Sequence, residues 1–82
     1  MKEKIAVVTV SGKAYFLIVN ELKSKRIPFL SLTPNQPIPM DIKAVITTEK
    51  EKTLIKHEKI LVYTEDTKPE KLVNEAIQIV QG

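Results

Sequence analysis

Lys4 to Leu32, KIAVVTVSGKAYFLIVNELKSKRIPFLSL, reads as strand, tight turn, helix and strand. Such a βαβ unit commits a chain to parallel strands, because a helical crossover is how two parallel neighbours are usually joined. The first strand, Lys4 to Val10, is almost continuously apolar or β-branched, the pattern of a strand covered on both faces, and it is placed in the middle of the sheet. Met1 to Glu3 is a short polar lead-in.

Ser11 is a good N-cap and Gly12 permits close backbone approach at the first helical turn. The helix runs from about Lys13 to Lys25, with Tyr15, Ile18, Val19 and Leu22 spaced as one buried stripe. Lys23, Lys25 and Arg26 close it, where cations complement the helix dipole. Phe16 and Leu17 project away from that stripe, towards Asn20, Lys23 and Ser24, and are read as a candidate interface with a partner domain or a second copy. The competing expectation is that the C-terminal helix covers them.

Pro28 follows Ile27 and ends the helix. A proline at the start of the second strand, Phe29 to Thr33, assigns that strand to an edge. Pro34 to Asp41, PNQPIPMD, contains three prolines in eight residues and cannot be a regular helix. At about 3.1 Å per residue, such an extended stretch is just long enough to cross back over the sheet. Lys43 to Thr47 is the third strand, and Thr48-Glu49-Lys50-Glu51 is a capping box opening a helix of two turns or so, anchored by Leu54 and Ile55. Lys59 to Thr64 is the fourth strand. Thr67-Lys68-Pro69-Glu70 is a second capping box before a last helix with Leu72, Val73, Ala76, Ile77 and Val80 on one face.

This succession implies an α/β domain: a four-stranded parallel sheet in the order 2-1-3-4, a Rossmann-like half with helices on both faces and right-handed crossovers. With 82 residues the chain is one domain, which buries roughly 60% of the surface its unfolded form exposes. Gln81-Gly82, directly after the last helix, is where a linker would begin if this domain is the N-terminal module of a longer protein.

In such a sheet a ligand sits at the carboxyl ends of the strands, beside the switch point. That rim comprises Ser11, Gly12 and Lys13, then Thr33 and Asn35, Thr47 and Thr48, and Thr64, Glu65 and Asp66. Ser11, Gly12, Lys13, Thr47 and Thr48 form a candidate anion-binding site, since a helix start offers backbone donors; Ser11, Thr48 and Thr67 are equally explained as caps. No catalytic residue, metal site or cofactor is expected. The chain has no cysteine, which removes thiolate chemistry, and its only glycines, Gly12 and Gly82, build neither a P-loop nor a dinucleotide fingerprint. A phosphoacceptor site of the response-regulator kind needs acidic residues at the ends of strands 1 and 3, where this chain has Val10 and Thr47. His57 is read as a solvated loop residue, and Glu65 with Asp66 as a turn.

Twelve of the thirteen basic residues are Lys, and the net charge is +3. Lys enriched together with Glu points to thermophile-like surface chemistry, compatible with weak, non-specific nucleic-acid contact but without an Arg face or an aromatic platform. Neither a signal peptide nor an apolar run of roughly 20 residues is present, so no membrane contact and a cytoplasmic location are expected.

VTVSGKAYFLIVNELKSKRIPFLSLTP, followed by VITTEKEK and ILVYTED, resembles the N-terminal domain of archaeal Holliday-junction-resolvase-like (RuvC-like) proteins, over nearly the whole chain. The resemblance rests on strands and turns without a catalytic signature. It implies a small α/β domain that precedes an RNase H-like domain, in which the family's metal-binding acidic residues lie, so no catalytic residue carries over. Taken together, these readings describe a non-catalytic accessory or interaction domain associated with nucleic-acid processing. The alternative is a small anion- or nucleotide-binding domain using the rim.

Overall fold

In the computed structural model, which describes residues 3–82, the chain forms β1 (Ile5–Val8), α1 (Gly12–Ser24), β2 (Phe29–Leu32), β3 (Ala44–Thr48), a one-turn 3-10 helix (Lys52–Leu54), β4 (Ile60–Tyr63) and α2 (Pro69–Gln81). Most of the expected polar lead-in, Met1 and Lys2, lies outside the described residues. The sheet has the order β2-β1-β3-β4, and all three pairings are parallel. β1 is buried along its whole length, as a strand flanked on both edges and covered on both faces must be.

Alternation along β1 and β3 divides the core in two. Ile5, Val7, Ala44 and Ile46 face α1 and α2, meeting Ile18, Leu22, Leu72, Val73 and Ala76. Ala6, Val8 and Val45 face the opposite way, meeting Ile42, Ile55 and the half-buried Ile38. Handedness accounts for this split. A right-handed step from β1 out to β2 puts its connection on one face, and the two steps in the other direction put theirs on the other. Those two connections are the proline-rich crossover and the stretch around the 3-10 helix. α2, which follows β4, packs on the α1 face, and the other face is covered by irregular chain through Ile38, Ile42 and Ile55.

α1 buries Ala14, Ile18, Val19 and Leu22, while Tyr15 stays half-buried and pairs its hydroxyl with Ser31 Oγ at 2.7 Å. Ser11 caps the helix, its Oγ accepting from Ala14 N–H at 3.4 Å. Gly12, however, makes no close approach: a Cβ there would meet nothing within 4 Å. The helix ends in a Schellman turn, with Arg26 N–H donating to Lys23 O at 3.1 Å and Ile27 N–H to Leu22 O at 2.9 Å. Arg26 takes the left-handed position at φ 56° that this turn requires.

Two capping expectations fail. Thr48 to Glu51 opens no two-turn helix, only a turn and the three-residue 3-10 segment, and the Glu51 side chain bonds Thr9 and Val10 at the end of β1 as well as the Thr48 hydroxyl. At α2 the N-cap is Lys68, without a side-chain bond, since Pro69 sets the first helical position. Thr67 instead pairs its hydroxyl with Thr64 Oγ1 at 2.7 Å. His57 is likewise no solvated loop residue. Its Nε2 lies 3.0 Å from Ile42 O and its Nδ1 accepts from Lys59 N–H at 3.0 Å, so the imidazole ties the approach to β4 onto the end of the crossover.

Candidate functional site at the carboxyl rim

Where β1 and β3 end side by side, the strand order reverses and loops diverge, leaving a crevice between them. A carboxylate from the chain itself fills it. Glu51, only 5% exposed, reaches from the turn after β3 back to the end of β1. Its Oε1 accepts from Thr9 Oγ1 at 2.8 Å and from Thr48 Oγ1 at 2.5 Å, and its Oε2 accepts from Val10 N–H at 2.6 Å. Thr9 Oγ1 in turn accepts from Ser11 N–H at 3.0 Å. A buried charge is tolerated when every lone pair that faces the protein finds a donor, and charge-assisted bonds of this length are the strong ones. No ion pair among the described residues includes Glu51, so dipoles and hydroxyls alone hold the charge.

Beside this knot, towards β4, lies a cleft of about 360 Å³ lined by Ser11, Lys13, Ala14, Thr48, Glu49, Lys50, Tyr63, Thr64 and Glu65. Of the five residues expected to bind an anion, the cleft brings together Ser11, Lys13 and Thr48. Gly12 is exposed next to it without lining it. Thr47 is placed elsewhere: it is fully buried within β3, on the side of Val45, and its hydroxyl has no partner among the described residues. The rest of the rim divides. Thr64 and Glu65 join the cleft, Asp66 lines a separate groove along β4 and α2, and Thr33 donates its N–H to Gln36 Oε1 at 2.8 Å, away from the cleft. Of the candidate interface pair, Phe16 is 62% exposed and Leu17 half-buried, with neither in the two core clusters. α2 therefore leaves Phe16 uncovered.

Sequence reasoning missed Glu51 and Thr9. The Thr48–Glu51 spacing is a visible signal, but it reads equally as a local cap. That Glu51 would bond a strand end 41 and 42 residues away had no local mark.

A family model for the response regulator receiver-like domain matches residues 4–80. The chain belongs to that family. No curated protein and no solved structure matches it. The match corrects the RuvC-like resemblance: the strands and turns that suggested it are those of a receiver-like domain. The expected link to nucleic-acid processing, which rested on that resemblance, loses its support. Receiver-like domains commonly interact with partner domains or dimerise, and no helix among the described residues is long and apolar enough to cross a membrane.

The acidic groups expected of a phosphoacceptor remain absent from the strand ends of this receiver-like domain. β1 is followed by Thr9 and Val10, and β3 ends on Thr47 and Thr48. The carboxylate found there comes from a loop, with both oxygens engaged.

Proposed function

We propose that this receiver-like domain is a non-catalytic signalling and interaction module whose rim is held in one state by Glu51. The observation that supports the reading is the Glu51 carboxylate at the switch point, both of whose oxygens accept hydrogen bonds from the chain itself. Accepting a phosphoryl group requires a carboxylate oxygen free to attack phosphorus, with acidic neighbours to hold a divalent cation. Glu51 spends both oxygens on Thr9, Val10 and Thr48. Among the described residues, no group of three or more His, Cys, Asp and Glu side chains is placed to hold a metal. Phe16, large and exposed on α1, is the partner-contact residue on this reading, with Leu17 beside it. Scattered lysines add at most a weak, salt-sensitive attraction for polyanions.

The test is incubation of the protein with acetyl phosphate and magnesium, followed by intact-mass measurement. The expected spectrum has no added phosphoryl group; a trapped acyl phosphate on any carboxylate overturns the reading. For the contact surface, Phe16→Ser is expected to abolish partner binding while changing unfolding free energy by less than about 1 kcal/mol, as exposed positions do. A loss of several kcal/mol assigns Phe16 to the core instead.

The cleft beside Glu51 favours a second reading, an anion- or nucleotide-binding rim, because Lys13, Lys50 and the hydroxyls of Ser11, Thr48 and Thr64 converge on it. Against it stand Glu49 and Glu65 in the same wall, and a Val10 N–H already bonded to Glu51. Phosphate titration with amide shifts confined to Ser11–Ala14 and Thr47–Glu49 supports this reading, and unshifted amides reject it.

A further inference from the structure

β4 ends the sheet, and among the described residues no strand pairs with its outer edge. Val45 N–H donates to Lys59 O at 2.9 Å, and Val45 stands level with Ile60. Since the backbone groups of a strand alternate in direction, Lys59, Leu61 and Tyr63 point theirs at β3, while the N–H and C=O of Ile60 and Val62 point away from the sheet. Alongside runs a groove of about 570 Å³ whose walls include Ile60, Val62, Lys71, Leu72 and Glu75. The opposite edge, β2, is managed differently: Pro28 precedes it, Pro34 follows it, and the Thr33 N–H is closed by Gln36. Ile60–Tyr63 has neither proline nor charge to discourage pairing.

We propose that β4 pairs antiparallel with β4 of a second copy of this chain, joining two sheets into one of eight strands about a two-fold axis at Leu61, so that Ile60 of each copy lies opposite Val62 of the other. Charge complementarity selects this occupant and this direction. The approach, with Lys56, Glu58 and Lys59, carries a net positive charge, and the exit, with Glu65, Asp66 and Lys68, a net negative one. Antiparallel pairing brings the basic approach of each copy beside the acidic exit of the other, whereas parallel pairing sets like beside like. The same two-fold runs the α2 helices antiparallel across the joint. Lys71 of each then lies towards the partner's Glu75, within the groove that both residues line. An isologous contact of this kind closes at two copies and leaves no second edge free to propagate through β4.

The experiment is sedimentation equilibrium over a range of protein concentrations, with amide exchange recorded at both ends of it. A dimer is expected, with the Ile60 and Val62 amides better protected at high concentration and those of β2 unchanged. Lys59→Glu is expected to weaken association about tenfold, and adding Glu65→Lys to restore it. Val62→Pro is expected to abolish association. Its N–H points off the sheet, so proline removes an outward donor and leaves the β3 ladder bonded. Should that variant fail to fold, the charge-reversal pair alone decides. A protein monomeric at every concentration overturns the proposal, as does a dimer that ignores the charge reversals or one that Phe16→Ser dissociates. None of these results depends on the phosphoryl-transfer test.

Discussion

The two faces of the sheet are built on the same two central strands, yet they are closed by different means. On one face, Ile5, Val7, Ala44 and Ile46 meet two α-helices whose apolar stripes are set by helical periodicity. On the other, Ala6, Val8 and Val45 meet single apolar residues from irregular chain: Ile38, Ile42 and Ile55. A helix brings its hydrogen bonds with it and needs only a stripe to dock. Irregular chain must be held in place bond by bond. The contacts that hold it are Glu51 to Thr9, Thr48 and Val10, His57 to Ile42 and Lys59, and Gln36 to Thr33. Polar anchoring on the loop face thus does what periodic apolar surface does on the helical one.

The largest expected effect is on the helical face. Leu22→Ala, at a fully buried position, should cost about 3–4 kcal/mol in denaturant unfolding, whereas Ile55→Ala on the loop face should cost about half as much because looser chain relaxes into the space. Equal costs would mean that the two faces are packed alike. Next comes the anchor itself: Glu51→Ala is expected to lower stability by about 2–3 kcal/mol, leaving Val10 N–H and two hydroxyls without their acceptor. Its exchange signature should be local, with Val10 and Ser11 amides accelerated and α1 beyond its first turn unaffected. His57→Ala should cost about 1–2 kcal/mol and accelerate exchange at Lys59, which a merely solvated side chain would not do. The smallest effect has the opposite sign. Thr47→Val replaces a buried hydroxyl that has no partner among the described residues with a methyl of similar shape, and is expected to raise the melting temperature through a gain of about 1 kcal/mol.

The strand order was legible because it follows from few constraints: continuous apolar strands, a proline at the start of β2, and the rule of handedness. The α1 and α2 stripes were legible for the same reason, since periodicity is a local property. What could not be read locally was the destination of a polar side chain. T-x-x-E at Thr48 to Glu51 signals a cap when its Glu bonds the backbone N–H of the Thr, and here it bonds the Thr48 hydroxyl and the end of β1. His57 looked solvated from its neighbours Lys56 and Glu58, while its ring meets the backbone of Ile42, 15 residues away. Thr67 lost its capping role to the register that Pro69 imposes one residue later. The mistaken family resemblance has a related cause. A pattern of strands and turns is shared by many parallel α/β domains, and without a chemical signature it discriminates poorly among them.

Glu51 also bears on what the domain can report. Being covalently part of the chain, three residues beyond Thr48, its carboxylate faces its donors at an effective concentration on the order of millimolar or higher. It cannot diffuse away, and a diffusible anion at lower concentration competes poorly for the same N–H and hydroxyl groups. A rim occupied by a detachable group carries information in its occupancy. One occupied by the chain itself carries none, so on the reading proposed above the message lies in how much of the domain is present and what its surfaces meet.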